Sequence, residues 1–372
     1  MEKKKKIALF SCHDDPNYGS MLQAYALAAV IRTLGHEPEY ISYNSYPHRP
    51  LFLQIAICVA KKLGIRRTAY DFSFFDTSEF ATTMEAFGRF HSKYIPHSAK
   101  VYYSNTIQHI TETGEYENYI VGSDQTWSPY LYNPRKPYFL DFASLPKRNA
   151  YAPSLGTTKL PEEYQQLLKK KLSIFNNISC REYANCKLLS SLTGKDVCCV
   201  LDPTLLLTPK EWDKVCKLPA IDKEYILAYI LGEKDSIVSF AEHLGKTKKL
   251  PVYYIATRPK HLNHPNTLTG VGPDDFAGLI KNARYVVTDS FHGSLFSVNY
   301  NVQFYAFSKR DGDLNCQDNI RILEFLQSMH LENRLQDDRS ATVLPDVDYE
   351  MVNKKLCKMR EKSIVFLKSC LE

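Results

Sequence analysis

The chain has 372 residues, 44% hydrophobic and 24% charged with only 15 glycines, a composition typical of folded globular proteins and not of disordered or fibrous ones. This length exceeds what one hydrophobic core usually supports, which favours two domains. The formal net charge of +6, from 47 basic and 41 acidic residues, is too small for a dedicated nucleic-acid-binding surface and suits anionic small molecules or an anionic membrane surface better.

The ten cysteines indicate reduced thiols in a cytosolic protein. None forms a Cys-x-x-Cys pair, and Cys198 and Cys199 are adjacent in an apolar run, where they would point to opposite faces of a sheet. We therefore expect core thiols and a cytoplasmic location.

No segment reaches the roughly 20 apolar residues of a membrane span. The stretch at 51–67 is apolar and then basic. It fits either a helix at a membrane interface or, as we favour, a buried helix with a basic end. A peripheral position at the inner face of the membrane therefore stays open.

Short β-rich runs alternate with helical periods along the chain, a pattern typical of parallel sheets covered by helices. It predicts strands at 7–12, 39–43, 119–122, 148–154, 178–181 and 197–201, with helices at 20–34, 162–175 and 183–192. After a pause at 205–212 it predicts strands at 225–231, 252–256, 285–288 and 303–307, with helices at 236–245, 274–282, from 291, at 318–330 and at 347–371.

The pause predicts a domain boundary. We expect an α/β protein of two Rossmann-like, doubly wound domains, at 1–205 and 206–345, followed by a C-terminal helix at 346–372. Packing of this helix back on the first domain is one arrangement left open. Two such domains imply a cleft with ligands at the carboxyl ends of strands, so site residues should directly follow strands.

The clearest site signal is the polar turn 288–294, which lies between an apolar strand and a helical period. A helix N-terminus exposes unpaired amides and a partial positive charge, so phosphate or carboxylate binding has a physical basis there. His292 would lie in that field, Gly293 allows close approach, and Ser290 and Ser294 can cap the helix or bind ligand. The alternative is an ordinary capped turn with a partly buried histidine.

Two further turns follow predicted strands of the first domain. The turn with Asn17, Gly19 and Ser20 lies where doubly wound folds bind phosphates, although it lacks the three-glycine dinucleotide fingerprint and Ser20 fits a simple helix cap as well. The turn with Asp124 and its neighbours Ser123 and Gln125 could supply a general base or orient a sugar hydroxyl, or cap a helix.

Arg181 follows a third strand and suits a bidentate grip on a carboxylate or phosphate. Its alternative is an ion pair with Glu182 or another acid.

Several common enzyme motifs are absent from the sequence. It contains no Gly-x-Ser-x-Gly elbow, Walker loop or His-Glu-x-x-His, which removes the commonest hydrolase, P-loop ATPase and metalloprotease interpretations. His261 and His264 lie beside prolines in a predicted loop, and we expect no metal there.

Taken in order, these motifs resemble the polysaccharide pyruvyl transferase family. They are Asn-Tyr-Gly-Ser-Met-Leu-Gln-Ala-Tyr (17–25), Gly-Ser-Asp-Gln-Thr-Trp (122–127), Ser-Cys-Arg-Glu (179–182), Leu-Asp-Pro-Thr-Leu-Leu-Leu (201–207), Thr-Asp-Ser-Phe-His-Gly (288–293) and Asn-Ile-Arg-Ile (319–322). The resemblance implies a glycosyltransferase-B-like pair of domains. It also implies transfer of a pyruvyl group from phosphoenolpyruvate to two hydroxyls of one sugar, which gives a cyclic ketal and phosphate.

By this resemblance His292 matches the family's essential histidine and Arg181 an arginine associated with the donor. Many relatives carry arginine two residues before the histidine, where this chain has Ser290. Arg321, or Arg310 and Lys309, could supply the missing charge. We expect a donor side formed by Arg181, Ser290, His292, Gly293, Ser294 and Arg321, and an acceptor side formed by Asn17, Gly19, Ser20, Ser123, Asp124 and Gln125.

The sequence thus predicts a ketal pyruvyltransferase of surface-polysaccharide synthesis. We expect His292 as general acid or phosphate ligand, Arg181 as donor clamp and Asp124 as acceptor-orienting base. Phosphoenolpyruvate would be a co-substrate, with no other cofactor, no metal and no nucleic acid, and a lipid-linked acceptor stays open. The alternatives are a glycosyltransferase of the same architecture that uses a nucleotide sugar, and a non-catalytic glycan-binding subunit of a polysaccharide assembly complex.

Overall fold

The computed structural model describes residues 4–45, 80–131, 133, 136–232, 234–308, 319–337 and 340–372. Strands and helices alternate along most of these residues. The strands are β1 (Lys6–Phe10), β2 (Glu37–Tyr40), β3 (Tyr43–Asn44), β4 (Tyr102–Tyr103), β5 (Asn118–Val121), β6 (Arg148–Ala150), β7 (Asn177–Cys180), β8 (Val197–Cys199), β9 (Ile226–Tyr229), β10 (Val252–Ile255), β11 (Thr267–Leu268), β12 (Tyr285–Thr288), β13 (Gln303–Phe307) and β14 (Leu335–Gln336). The helices are α1 (Tyr18–Thr33), α2 (Ala81–Tyr94), α3 (Glu162–Leu172), α4 (Tyr183–Thr193), α5 (Pro209–Trp212), α6 (Asp235–Lys248), α7 (Pro273–Asn282), α8 (Phe291–Asn299), α9 (Ile320–Met329) and α10 (Tyr349–Ser369).

The described strands form two six-stranded parallel sheets and one short pair. The first sheet has the order β2-β1-β5-β6-β7-β8, and β3 pairs with β4. The second has the order β11-β10-β9-β12-β13-β14. Numbered along the chain, the second order is 3-2-1-4-5-6, that of the Rossmann fold. The predicted pair of Rossmann-like domains in a glycosyltransferase-B-like arrangement is confirmed.

Burial explains why the central strands read as continuous apolar runs. Every residue of β9, β12 and β13 is buried, as expected of parallel strands covered by helices on both faces. Local capping sets where several helices begin. Asn17 accepts from the amide of Ser20 at the start of α1, and Thr208 and Glu211 form a capping box on α5.

Aromatic side chains join the two sheets through their helices. Tyr18 of α1 stacks on Phe276 of α7 with 4.7 Å between ring centroids, and its hydroxyl donates to the carbonyl of Val271. Trp212 of α5 meets Phe296 of α8 edge-on and also contacts Tyr25 of α1, with 5.5 Å between ring centroids. Full burial of one such side chain contributes about 1.5–3 kcal/mol, so these contacts fix the spacing of the two sheets.

Helix α10 packs on the first sheet although it follows the second in sequence. The amide of Leu201 donates to Ser363 Oγ at 2.9 Å, Asn177 donates to the carbonyl of Ser369 at 2.9 Å, and Arg360 donates to the carbonyl of Leu205 at 2.7 Å. These contacts are those of a C-terminal helix that returns to the first domain. The domain limits at 205 and 345 stay predictions.

The structure adjusts several sequence predictions. The pause at 205–212 contains α5, helix α2 was missed, and the strands predicted at 148–154 and 197–201 end early, at Ala150 and Cys199. The core-thiol interpretation is wrong for Cys357, which is exposed, whereas the eight described cysteines are all free, as expected. The stretch 51–67 lies outside the described residues. Across the described part of the chain, no helix is both long and apolar enough to span a bilayer.

Candidate active site

A cavity of about 240 Å³ lies where the carboxyl ends of the two sheets face each other. Residues that follow β1 and β5 line it from one side, and residues that follow β12 and begin α9 line it from the other. The predicted residues in its wall are Asn17, Ser20, Asp124, Gln125, Ser290, His292 and Arg321. A larger cavity of about 610 Å³ lies near the start of α10 and contains none of the predicted residues.

His292 lies in the first turn of α8, directly after the buried strand β12. Ser290 caps this helix, since its Oγ accepts from the amide of Gly293 at 3.3 Å. The imidazole is nearly buried, and a Cβ added to Gly19 would lie 1.9 Å from its Nδ1. Gly19 therefore provides the space in which the ring lies.

Asp202, which sequence reasoning did not assign a role, is the negative partner of His292. Its Oδ2 lies 3.6 Å from His292 Nε2 and accepts from Ser123 Oγ at 3.2 Å, while its Oδ1 accepts from the amide and hydroxyl of Thr204. Burial alone would raise the pKa of Asp202, but the adjacent imidazole, the guanidinium of Arg181 and the Thr204 amide hold it well below its usual value. The carboxylate therefore stays ionised.

Arg181 also pairs with Asp202 and only loosely with Glu182. Its Nη1 donates to Asp202 Oδ2 at 2.5 Å, and its Nε is 3.8 Å from Glu182 Oε1. Burial lowers the pKa of Arg181, but the carboxylates of Asp202, Glu182 and Asp124 outweigh it and raise the pKa. Among the described residues, its Nε and Nη2 have no hydrogen-bond partner. The ion pair that the sequence left open is therefore present, with Asp202 as the main partner. Two nitrogen donors of Arg181 have no partner among the described residues.

Asp124 occupies the tight turn after β5 in a left-handed conformation, with φ of 76°. Its Oδ2 accepts from Ser20 Oγ at 2.6 Å and its Oδ1 from the amide of Gln125 at 2.8 Å. Burial opposes its charge, yet Arg181, His292 and Ser20 lower its pKa. A carboxylate is thus held at the cavity wall.

Arg321 of α9 brings a cation to the wall of the same cavity. Its guanidinium lies 5.5 Å from the ring centroid of Phe291, and that of Arg181 lies 5.1 Å from the same ring. The side-chain amide of Gln125 satisfies its partners when its oxygen faces Arg321. In this orientation the oxygen accepts from Arg321 Nη2 at 2.6 Å and from Nη1 at 3.0 Å. Gln125 therefore bridges the acceptor-side turn to the second sheet.

Other residues of the 288–294 turn hold the backbone. Asp289 accepts from the amides of Leu231 and Gly232, which fixes the loop after β9. Ser294 Oγ donates to the carbonyl of Ser290, and Gly293 packs against Thr288, where a Cβ would lie 2.7 Å from Oγ1. These contacts within the chain explain why the turn has small and polar residues at these positions, and no ligand is needed to account for them.

Residues 17–310 match the sequence model of the family described as polysaccharide pyruvyl transferase, well over half of the chain. The chain belongs to the polysaccharide pyruvyl transferase family. No curated protein has significant sequence similarity to it.

This pyruvyl transferase family member is also similar to several solved structures at low sequence identity. A putative UDP-N-acetylglucosamine 2-epimerase from Listeria monocytogenes is 12% identical, with 97% of each chain covered and a TM-score of 0.47. The UDP-GlcNAc 2-epimerase from Methanocaldococcus jannaschii is 13% identical, with 96% of this chain and 93% of that chain covered and a TM-score of 0.49. The ADP-heptose lps heptosyltransferase II from E. coli is 9% identical, with 98% and 99% covered and a TM-score of 0.39. Similarities this distant carry no information on the reaction.

In this family member the structure brings most of the predicted site residues together. Ser123 and Arg181 lie behind the cavity wall and act on it through Asp202, and the roles of Gly293 and Ser294 as donor ligands stay predictions. Lys309 and Arg310 lie outside the described residues, so Arg321 is the candidate that the structure places at the cavity. The sequence does contain a signal for Asp202. Like Asp124, it is an acid that follows a predicted strand, which is where site residues are expected.

Proposed function

We propose that this chain transfers a pyruvyl group from phosphoenolpyruvate onto two hydroxyls of one sugar in a polysaccharide precursor, and so forms a cyclic ketal and releases phosphate. The observation that carries the proposal is the cavity itself, in which His292, Arg321 and Asp124 lie together. Membership of the family supports a transferase, and the donor and product are our proposal.

The reaction needs an acid, and His292 is the candidate. Two C–O bonds form between the donor's second carbon and the sugar oxygens, and the bond from that carbon to the phosphate oxygen breaks. Of the two hydroxyl protons lost, one is balanced by the proton that the methylene carbon gains and the other leaves with phosphate. An imidazole nitrogen can donate a proton, and the buried Asp202 carboxylate lies 3.6 Å from His292 Nε2.

The donor's carboxylate and phosphate need positive partners. Arg321 lies at the cavity, the start of α8 presents its positive end there, and buried Arg181 has two donors without a partner among the described residues. Ser290 stands where many relatives have arginine, and we propose that Arg321 supplies the missing charge from a different helix. Arg321 and the start of α8 can stabilise negative charge on the leaving phosphate directly, and Arg181 adds positive charge from behind the cavity wall.

Asp124 is suited to orient the acceptor. Its pKa lies below the ordinary value, so it is a carboxylate at neutral pH but a weak base. A carboxylate that already accepts from Ser20 can accept from a sugar hydroxyl through its remaining lone pairs. We propose that it fixes the hydroxyl pair in the cavity and that the leaving phosphate takes up the second proton.

The test is a coupled assay with phosphoenolpyruvate and a panel of galactose- and mannosamine-containing acceptors. Phosphate release and the acceptor's mass are followed in the same sample. The proposal expects both to change together and both to be lost in His292→Ala at unchanged thermal stability. Normal turnover in folded His292→Ala would refute the role of His292. Thermal stabilisation by a nucleotide sugar, without any by phosphoenolpyruvate, would refute the donor.

A further inference from the structure

A second cavity of about 230 Å³ lies beside the first, at the carboxyl end of β1 and against β3. His13, Asp14, Asp15, Lys136 and Tyr138 are among the side chains in its wall. None of the roles proposed for the catalytic cavity uses His13, Asp14 or Lys136. The second cavity therefore needs its own explanation.

The two cavities are neighbours that share a wall. Asp15 lines both of them. Cys12, which lines the catalytic cavity, lies with its sulfur 3.5 Å from the hydroxyl of Tyr138, which lines the second. A ligand longer than one unit can therefore extend from one cavity towards the other past Asp15.

A buried polar atom at the second cavity has no partner. His13 is only 6% exposed, and its Nδ1 forms no hydrogen bond with any described residue. The carboxylate oxygen Asp14 Oδ1 is 3.7 Å away, beyond hydrogen-bonding distance. Burial lowers the pKa of His13 to about 4, Asp14 opposes this, and His91 and His97 add to it. The neutral imidazole thus leaves a buried polar nitrogen unpaired, which is costly unless a ligand completes it.

The charges around the cavity favour a neutral, hydroxyl-rich ligand. With His13 neutral, the charged side chains among the lining residues that the structure describes are two carboxylates, Asp14 and Asp15, and one cation, Lys136. This balance disfavours a phosphate or carboxylate ligand, while carboxylates, an imidazole and an ammonium group all hydrogen-bond hydroxyls. Tyr43 and Tyr138 add aromatic side chains with a polar tip, which suit one apolar face of a sugar ring.

We propose that the second cavity binds the sugar adjacent to the one that is modified, so that the acceptor is at least a disaccharide. The inference rests on the proposed function for the identity of the first cavity's ligand. The binding of sugar in the second cavity can be measured without any turnover.

The experiment measures binding of the full chain to an array of defined mono-, di- and trisaccharides in the absence of phosphoenolpyruvate. His13→Phe keeps a planar ring but removes both nitrogens, and Asp14→Ala removes an exposed carboxylate with little risk to folding. Asp235→Ala is the matched control, since this carboxylate is 93% exposed at the start of α6. Thermal unfolding confirms that each variant is folded.

We expect the wild type to bind particular di- and trisaccharides at least about tenfold more tightly than their single sugars, because a second unit adds charge-assisted hydrogen bonds. Asp14→Ala and His13→Phe should lose this difference, and Asp235→Ala should keep it. Equal binding of single sugars and disaccharides, binding confined to phosphorylated or carboxylated glycans, or no glycan binding at all would overturn the proposal. So would an Asp14→Ala variant that binds as the wild type does.

The array also separates this inference from the proposed function. Disaccharide binding that depends on Asp14, together with no phosphate release from phosphoenolpyruvate on any bound glycan, would uphold the second cavity and refute the donor. Conversely, pyruvyl transfer to a single sugar with the same kcat/KM as to the disaccharide would uphold the donor and refute the second cavity as a sugar site.

Discussion

Replacing Asp202 with asparagine removes one buried negative charge at nearly constant shape. In the wild type its carboxylate pairs with Arg181 at 2.5 Å, and the two side chains are 1% and 3% exposed. The substitution leaves the Arg181 guanidinium buried without its main partner, since Glu182 is 3.8 Å away. Breaking a buried pair on one side costs about 3–5 kcal/mol. Because asparagine keeps one hydrogen-bond acceptor, we expect about 3 kcal/mol in the free energy of unfolding.

The matched control is Asp213→Asn. Asp213 pairs with Lys281 at the same N–O distance of 2.5 Å, but these side chains are 44% and 35% exposed. An exposed pair contributes about 0–1 kcal/mol, so urea denaturation should separate the two variants clearly. Equal losses in both would refute the argument that burial makes the Asp202 pair important.

The same variant has a characteristic pH dependence. The pKa of folded Asp202 lies below its unfolded value, so the carboxylate stabilises the fold above about pH 4 and this stabilisation is lost as the pH falls through the folded pKa. Asp202→Asn should therefore lose less stability on acidification than the wild type does. A steeper acid-side loss in the variant would contradict the assigned direction.

Three further predictions concern the site and the fold. Gly19→Ala would place a Cβ 1.9 Å from His292 Nδ1, and displacement of the ring should lower kcat by about a hundredfold in a folded protein; unchanged kcat would exclude this packing role. Arg321→Ala should raise KM for phosphoenolpyruvate by about tenfold to a hundredfold and Arg321→Lys by less, as steady-state kinetics would show; an unchanged KM would remove Arg321 from the donor site. Asp348 caps α10 by accepting from the amide of Glu350, so Asp348→Ala should cost about 1 kcal/mol in thermal or urea unfolding, and no loss would show the cap to be dispensable.

The fold could be predicted from the sequence because its signals are local. Strands such as β12 and β13 are short, mostly apolar and fully buried, and their predicted limits agree with the structure. Strand ends were harder where apolar residues continue beyond the last sheet pairing, as after Ala150. Helix α5 was missed because its capping box, Thr208 to Glu211, spans too few residues for a helical period to be visible.

The candidate site was predictable as a set of turns but not as a network. Residues after strands could be named, since parallel strands bring their carboxyl ends to one edge. Which acid would meet which base depends on tertiary contacts, so the position of Asp202 between Arg181 and His292 was not foreseen. The unpaired nitrogen of His13 is likewise a property of packing, which no spacing in the sequence reveals.

Transfer from phosphoenolpyruvate in deuterium oxide tests the central claim most directly. If the chain forms a ketal, protonation of the donor's methylene carbon by solvent-exchanged acid must place one deuterium in the new methyl group, as mass spectrometry and NMR of the isolated acceptor would show. A product that keeps an intact methylene group, or an acceptor that gains a sugar and no pyruvyl carbon, would contradict the account.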